Sequence, residues 1–341
     1  MDGRGPNAVT LEEVARRAGV SPSTVSRILN GTARVRESKR QAVEQAIADL
    51  DYRPNVMAQG LARGSSMSVG VITQDIASPF YNESLKGIED SLAGAGSGYA
   101  PLFVSGHWKK EKEAECLSLL AARRVDGLVV LTGVVDDATL LDHATRMPLV
   151  ITGRNLQGPN VVSIHADNEQ AGFDATQHLI ELGHTRIAHI SGPEGNLDAQ
   201  ARLAGYRRAL KEANLPVEER LIATGDFHET GGLLAVNQLL ETRLNFTALF
   251  VANDQMAYGA RLVLYRKGIR VPEDVSIIGF DDLPASLYST PPLTTVRQPA
   301  YDLGKMAGDA ILRLIHGQKV SIPTIPLQVI VRESTMRRRG T

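Results

Sequence analysis

From Ser68 onward, short apolar runs alternate with longer amphipathic segments, and this alternation restricts the fold more than any other feature of the chain. Short apolar runs indicate buried strands, and the segments between them have helical spacing. In the first part of this region we predict strands at residues 69–73, 102–105, 127–131, 149–152 and 161–165. Helices are predicted at about residues 80–92 and 110–123.

A second series of the same kind follows the first. Its strands are predicted near residues 187–191, 221–224, 249–251 and 275–280, and its helices near 168–182, 198–213, 230–241 and 255–267. A further helix after Asp302 and a proline-broken edge strand at 325–331 complete it. Two successive strand–helix series predict an α/β protein with two doubly wound parallel sheets. A length of 341 residues suits two or three domains.

Residues 10–30 have a different pattern, which predicts two short helices around a tight turn. Thr10 and Glu13 have the spacing of a capping box, and Gly19 suits the left-handed backbone that closes a helix. Ser21 is a suitable N-cap for the second helix, with Pro22 at its first position. A third amphipathic helix at 37–51 completes a small three-helix head.

The outer face of the second helix carries small polar residues and one arginine: Ser23, Thr24, Ser26, Arg27 and Asn30. Such a face suits a helix in the DNA major groove, where arginine can bond bidentately to guanine. The alternative is an ordinary helical hairpin with a solvated polar face. Residues 1–66 carry ten Lys/Arg and seven Asp/Glu in a chain of net charge −1. This basic head on an acidic body has the sign expected for phosphate binding.

Motifs along almost the whole chain resemble the lactose/purine-repressor (LacI/GalR) family of bacterial transcription regulators. They are VARRAGVSPSTVSRILNG, YRPNVMAQGLARG, VGVITQDIASPFY, RRVDGLVVL, LIELGHTRIAHISGP, RLAGYRRAL, VANDQMAYGA, VPEDVSIIGFDDLP and TPPLTTVRQP. The resemblance implies a helix-turn-helix head and a two-lobed body of the type I periplasmic-binding-protein kind. It also implies a homodimer that binds a pseudo-palindromic operator as duplex DNA and responds to a small-molecule effector, such as a sugar or sugar acid.

The resemblance also implies the domain boundaries. The head covers residues 1–53, a hinge helix or linker covers 54–66, and the effector-binding and dimerisation domain covers 67–341. The N-lobe is expected at about 67–165 and 293–323, and the C-lobe at about 166–292 and 324–341. The chain is then expected to cross between lobes near Ala166, Pro292 and Thr324.

The expected DNA-binding residues lie in the head and the hinge. They are Thr10, Ser21, Pro22, Ser23, Thr24, Ser26, Arg27, Asn30, Lys39, Asn55, Gln59 and Leu61. Lys39 and Arg40 oppose the dipole of the third helix, which favours DNA contact, although a solvated surface is nearly as good an explanation. Arg36 stands where relatives commonly carry a serine cap. The resemblance makes Leu61 a wedge for the minor groove, whereas residues 54–62 alone could be a flexible linker.

The expected effector-binding residues follow strand ends or match family contact positions. They are Gln74, Asp75, Phe80, Arg154, Arg202, Phe227, Asn253 and Asp281. In open α/β sheets, ligands bind beyond the carboxyl ends of the strands. Asp75 could instead cap a helix or turn, Asp254 could cap the helix at 255–267, and Arg202 could lie on the surface. A positive Arg154 would favour an anionic ligand. His107 and Trp108 could reach the cleft or lie at its rim or an interface.

Enzyme signatures are absent from the sequence. It contains no G-x-S-x-G elbow, no GxxxxGK[ST] loop and no HExxH motif, so we expect no enzyme, no metal and no cofactor. Cys116 is the single cysteine, and no apolar run suggests a signal peptide or a membrane span, which predicts a cytoplasmic protein.

Two other functions remain open at this stage. A solute-binding protein or sugar-processing enzyme could share the two-lobed body, and another protein rather than a metabolite could modulate it. An effector that releases DNA and one that promotes DNA binding are equally compatible with these residues.

Overall fold

A computed structural model describes residues 9–29, 35–52, 64–94, 97–323 and 325–338. The chain divides into two compact units, residues 1–66 and 67–341. The predicted contacts Asn30, Asn55, Gln59 and Leu61, with the segment 54–62, lie outside the described residues. Within the described ranges, none of the helices combines the length and apolarity needed to span a membrane.

The described residues of the first unit form three helices: α1 (Leu11–Ala18), α2 (Pro22–Leu29) and α3 (Glu37–Asp49). The capping box is present, since Glu13 N donates to Thr10 Oγ1 at 3.2 Å and Thr10 N donates to Glu13 Oε2 at 2.7 Å. Gly19 closes α1 with φ 65°, and Thr24 N donates to Ser21 Oγ at the start of α2. The core of the head consists of small apolar side chains: Val14, Ala15, Val25, Val43 and Ala46.

The N-lobe has a five-stranded parallel sheet in the order β2–β1–β3–β4–β5. Its strands are β1 (Ser68–Thr73), β2 (Ala100–Ser105), β3 (Gly127–Val130), β4 (Leu149–Thr152) and β5 (Val161–Ile164). The helices between them are α4 (Pro79–Gly94), α5 (Lys110–Ala122) and α6 (Asp137–Ala144). Helix α6 was not predicted from the sequence.

The C-lobe has a six-stranded sheet in the order β11–β10–β9–β8–β6–β7, in which β11 alone is antiparallel to its neighbour. Its strands are β6 (Ile187–Ser191), β7 (Ile222–Thr224), β8 (Ala248–Val251), β9 (Ser276–Asp281), β10 (Thr294–Arg297) and β11 (Gln328–Ile330). Its helices are α7 (Asn168–Glu181), α8 (Leu197–Glu212), α9 (Glu229–Glu241), α10 (Asp254–Arg266) and α11 (Pro284–Tyr288), with a short 3₁₀ helix at Glu219–Leu221. Helix α12 (Ala300–Ile315) returns to pack on α4 of the N-lobe.

The second crossing between lobes lies later than the sequence suggested. Strand β10 pairs with β9 from Thr294 to Arg297, so the C-lobe continues past Pro292 and the chain crosses before α12. The prediction near Pro292 was therefore wrong: this proline precedes the strand and does not interrupt its hydrogen bonds. The crossing predicted at Thr324 falls on a residue that is not described, and Ile325 still packs in the N-lobe core.

Close contacts through glycine join the helices in pairs. A Cβ on Gly172 of α7 would lie 2.4 Å from the backbone oxygen of Arg202, and a Cβ on Gly205 of α8 would lie 2.1 Å from that of Glu169. Reciprocal contacts of the same kind join α9 to α10 and α4 to α12, through Gly232, Gly259, Gly87 and Gly304. The glycines let the backbones of α7 and α8 lie in direct contact. This close contact fixes the position of Arg202, which lies on α8.

Candidate functional site

Helix α2 presents a polar outer face, as the sequence predicted. Its buried residue is Val25, whereas Ser21, Pro22, Ser23 and Arg27 are exposed. The Ser21 hydroxyl lies 2.9 Å from both the Ser23 and Thr24 hydroxyls, and Thr24 and Ser26 are half-buried. Short side chains around one arginine leave the helix able to approach a DNA groove closely.

Helix α3 packs with α1 and α2 in the same three-helix unit. Arg36 occupies the N-cap position and makes no side-chain capping bond. Lys39 and Arg40 are exposed. Arg17 of α1 pairs with Asp49 of α3 at 2.8 Å and thereby joins the two supporting helices. Thr10 is engaged in the α1 cap, so its hydroxyl has a structural role.

A cleft lies between the two lobes, where strand ends from both sheets meet. Six of the eight predicted effector residues line it, namely Asp75, Phe80, Arg202, Phe227, Asn253 and Asp281. Asp75 and Phe80 come from the N-lobe, and the other four come from the C-lobe. The structure thus brings together residues as far apart in the sequence as Asp75 and Asp281, about three-fifths of the chain.

Arg202 is the central charged group of the cleft. Its Nε donates to Asn168 Oδ1 at 2.9 Å, and its Nη1 donates to the Ala252 carbonyl at 2.5 Å. Its guanidinium lies 3.6 Å from the centre of the Phe280 ring, and Nη1 is 3.9 Å from Asp281 Oδ1. These contacts hold the side chain in one position, so Arg202 is a preorganised donor rather than a surface arginine.

Asn253 holds two parts of the cleft together. Its Oδ1 accepts from Met256 N at 3.0 Å and caps α10, and its Nδ2 donates to the Phe227 carbonyl at 2.8 Å. The N-cap of α10 is therefore Asn253, and the alternative placement of Asp254 as the cap was wrong. Asp254 is fully buried and accepts from Ser286 and Thr295 hydroxyls, each at 2.6 Å.

Burial controls the electrostatics of the cleft. It raises the pKa of Asp281 well above its usual value, and the nearby Arg202 partly opposes this shift. Burial also raises the pKa of Asp198 and raises that of Asp254 to about 6. It lowers the pKa of Arg202, although Asp281 and Asp198 counteract the change. Acidic groups thus outnumber the basic group, and each pays a desolvation penalty.

Two predicted effector residues do not line the cleft. Gln74 is fully buried behind it, where Nε2 donates to the Thr132 carbonyl at 2.6 Å and Oε1 accepts from Trp108 N at 3.0 Å. Arg154 turns away and donates to the carbonyls of Gly133 and Val135 and to Asp137. Both predictions placed the side chain on the wrong side of a strand end. A positive charge from Arg154 is not available to a ligand in the cleft.

The cleft also contains residues that were not in the predicted set. Trp108 is one, for which the sequence allowed a place in the cleft, at its rim or at an interface. Asp198, Tyr81, Thr132 and Gln298 are others. Asp198 precedes Arg202 by four residues on α8, a spacing that places both on one helix face. That spacing was the available signal. Nothing in the sequence identified Thr132, which has φ 46° after β3.

Comparisons with known proteins agree with this architecture. A family model for bacterial regulatory proteins of the lacI family matches residues 10–55, and one for a periplasmic binding protein-like domain matches residues 176–335. Catabolite control protein A of Priestia megaterium is 37% identical over 331 residues, which are 96% of this chain and 99% of that protein. The transcriptional repressor CytR of Escherichia coli K12 is 35% identical over 96% of each chain.

Two solved structures are similar over nearly the whole chain. The lac repressor dimer bound to operator and the anti-inducer ONPF has 32% identity and a TM-score of 0.85, and covers 96% of this chain and 99% of its own. A complex of the regulator CelR with cellobiose has 35% identity and a TM-score of 0.71, with the same coverage. The head, the two lobes and these relatives agree: the chain belongs to the lacI family of bacterial regulatory proteins and is a DNA-binding transcription regulator.

Proposed function

We propose that the chain is a homodimeric repressor that acts in the cytoplasm and binds a pseudo-palindromic operator. A sugar or sugar derivative, held between the lobes, controls its affinity for DNA. The observation that carries this proposal is the convergence of polar and aromatic side chains from both lobes around Arg202. Relatives in complex with cellobiose and with operator DNA support the same combination.

In the head, Arg27 is the residue we assign to base recognition, with Ser23 and Thr24 close to the base edges. An exposed arginine on a helix of short side chains can bond guanine bidentately. Lys39 and the Ser21 hydroxyl are assigned to phosphate contacts. Pro22 cannot donate a hydrogen bond, so this protein should differ in base preference from relatives with a polar residue there.

In the cleft, the proposed contacts divide by chemistry. Asp75 and Asp281 accept hydrogen bonds from ligand hydroxyls, and Arg202 donates to ligand oxygens. Phe80 and Phe227 cover the apolar face of the ligand. Asn253 keeps Phe227 in place by donating from its side-chain amide to the Phe227 carbonyl. A ligand that contacts both lobes shifts the equilibrium between the DNA-binding and non-binding arrangements of the lobes. The size of this shift is limited by the difference in ligand affinity between the two arrangements.

Dimerisation is assigned to an exposed apolar surface on α10 and α11. Tyr265 and Tyr288 are each 81% exposed, and Leu262 and Leu287 are exposed beside them. Large apolar groups in one exposed patch mark an interaction surface. Two heads on one dimer gain DNA affinity through effective concentration.

The test is operator selection from genomic fragments with purified full-length protein, followed by fluorescence anisotropy with the selected duplex. We expect binding that weakens steeply with salt and a loss of about 1–3 kcal/mol for Arg27→Ala. The control Arg123→Ala removes an equal charge from an exposed position on the body and should bind as wild type does. No preference for any genomic fragment over random duplex, with or without sugars, would refute the proposal.

A further inference from the structure

We propose that the cleft selects an uncharged ring, clamped between Trp108 and Phe227, over the phosphorylated or carboxylated forms of the same ring. This inference rests on the proposed function, because it takes the cleft to be the effector site. It concerns which chemical class of sugar the site accepts.

The two aromatic rings face each other across the cleft. Trp108 comes from the N-lobe and Phe227 from the C-lobe, and their ring centres are 6.3 Å apart with an angle of 42° between the planes. Tyr81 supports Trp108 from the N-lobe side, with ring centres 6.4 Å apart. These are the only lining side chains, among those described, that form an aromatic pair between the lobes.

Backbone geometry and hydrogen bonds anchor both residues at the cleft. Trp108 has φ 55° and its amide donates to buried Gln74 at 3.0 Å. Phe227 has φ 69°, its carbonyl accepts from Asn253 at 2.8 Å, and its ring fills the space where Gly192 would carry a Cβ. Non-glycine residues rarely adopt positive φ, and such residues cluster at ligand sites. The pair is therefore a fixed feature of the cleft.

The spacing of the rings limits what fits between them. A ring that contacts an aromatic face on each side needs about 3.5–4.0 Å per contact, or about 7–8 Å in all. The lobes must therefore separate by roughly 1–2 Å to admit one ring. A ligand with two flat faces satisfies both walls, and the polar groups at its edge remain available for hydrogen bonds.

The charges around the clamp disfavour an anion. Asp75, Asp198 and Asp281 line the cleft, and Arg202 is the only lysine or arginine among the described lining residues. Three of the five N–H groups of Arg202 already donate to protein acceptors, which leaves one on each terminal nitrogen for a ligand oxygen. His228, at the edge of the cleft, is the remaining basic side chain there.

The same groups favour ligand hydroxyls. A carboxylate accepts hydrogen bonds from hydroxyl donors, and burial raises the pKa of Asp198 and Asp281 even though Arg202 partly opposes the shift. A phosphate or carboxylate on the ligand would add a further negative charge to a poorly solvated site, where like charges repel strongly. Neutral sugar rings avoid this penalty.

Trp108 is the only tryptophan of the chain, so its emission reports on the clamp alone. Full-length protein is titrated with glucose, galactose, ribose and cellobiose, and with glucose 6-phosphate, glucuronate and ribose 5-phosphate. Calorimetry measures the affinities in parallel. We expect at least one neutral sugar to bind and change the Trp108 emission, with its charged counterpart at least about tenfold weaker. A charged form that binds as tightly or more tightly overturns the inference, and so does binding without a change in emission. Failure of every sugar in the panel to bind also counts against it.

Two variant pairs separate charge from packing. Asp198→Asn should reduce the tenfold discrimination against the charged form, whereas Asp142→Asn, on the exposed face of α6, should not. Trp108→Leu should weaken neutral sugar binding about 3- to 10-fold by calorimetry, and Trp108→Phe should stay within about twofold. Equal loss in both tryptophan variants, or equal discrimination in both aspartate variants, would refute the clamp.

Operator affinity, measured with each ligand, separates this inference from the proposed function. A neutral sugar that binds in the clamp without changing operator affinity refutes effector control but leaves the selectivity intact. A phosphorylated sugar that alone changes operator affinity supports effector control and refutes the selectivity.

Discussion

Replacement of Gly205 by alanine tests whether the close contact of α7 and α8 positions the effector arginine. The added Cβ would lie 2.1 Å from the Glu169 carbonyl oxygen and 2.5 Å from the Phe173 amide nitrogen. Both neighbours are backbone atoms, which cannot rotate away as a flexible side chain can. The helices must therefore move apart by roughly 1 Å to reach ordinary van der Waals distance.

The cost of Gly205→Ala follows from two opposing effects. Overpacking of a well-packed contact costs about 1–3 kcal/mol, and the greater helix propensity of alanine returns about 1 kcal/mol. The net loss is about 0–2 kcal/mol, which lowers the unfolding temperature by up to roughly 4–8 °C for a body of this size. The larger effect is on Arg202, because its hydrogen bonds to Asn168 at 2.9 Å and Ala252 at 2.5 Å would not survive a shift of this size.

Two measurements check this prediction. Differential scanning calorimetry gives the unfolding temperature. Isothermal titration with a sugar of the panel that binds the wild-type protein gives the affinity, which should fall about tenfold or more because bonds to a charged group are lost. Gly94→Ala is the matched control, since Gly94 ends α4 with open space around it. Wild-type unfolding temperature and wild-type affinity in Gly205→Ala would refute the argument that the glycine contact positions Arg202.

Three further predictions concern the head, the C-lobe core and the loop after β3. Thr10→Ala should destabilise α1 by about 1 kcal/mol, seen as faster amide exchange in the head, and Thr10→Ser should restore it. Burial lowers the pKa of His189 to about 3, so the unfolded chain takes up the proton first as the pH falls below about 6.5. The contribution of His189 to the free energy of unfolding should therefore fall by about 2 kcal/mol between pH 7 and pH 5. In His189→Phe the total fall, measured by urea denaturation, should be smaller than in the wild type by this amount. Glu113 is buried and accepts from the amides of Val134 and Val135 at 2.8–2.9 Å. Glu113→Gln should expose these two amides to exchange, and unchanged protection would contradict the assignment.

Chain order was enough to predict much of the fold and part of the site. Asn253 and Asp281 could be placed at the cleft because each stands where a buried parallel strand ends, and such ends meet at one edge of a sheet. The three-helix head followed from its caps and its apolar spacing. The crossing expected near Pro292 was wrong because β10, which begins at Thr294, still pairs with β9 in the C-lobe sheet.

Side-chain direction could not be predicted in the same way. Gln74 and Asp75 are adjacent at the end of β1, and neighbouring residues of an extended chain point to opposite sides. One of the two had to face away from the cleft, and the sequence does not say which; Gln74 is the one that turns inward to bind Thr132 and the Trp108 amide.

Arg154 shows the same limit for a long side chain. It lies just beyond the end of β4, much as Asp281 lies at the end of β9, but three acceptors between β3 and the start of α6 lie within its reach and bind its guanidinium. Asp198 shows the opposite limit. Its position four residues before Arg202 is visible in the sequence, but its place in the cleft could be inferred only once Arg202 was known to be buried there. The sequence therefore shows how far a residue lies from the end of a strand. What its side chain binds depends on which unpaired donors and acceptors the neighbouring strands, helices and loops bring near it. Polar residues next to a strand end should therefore be assigned to a ligand only after their backbone acceptors and donors have been accounted for.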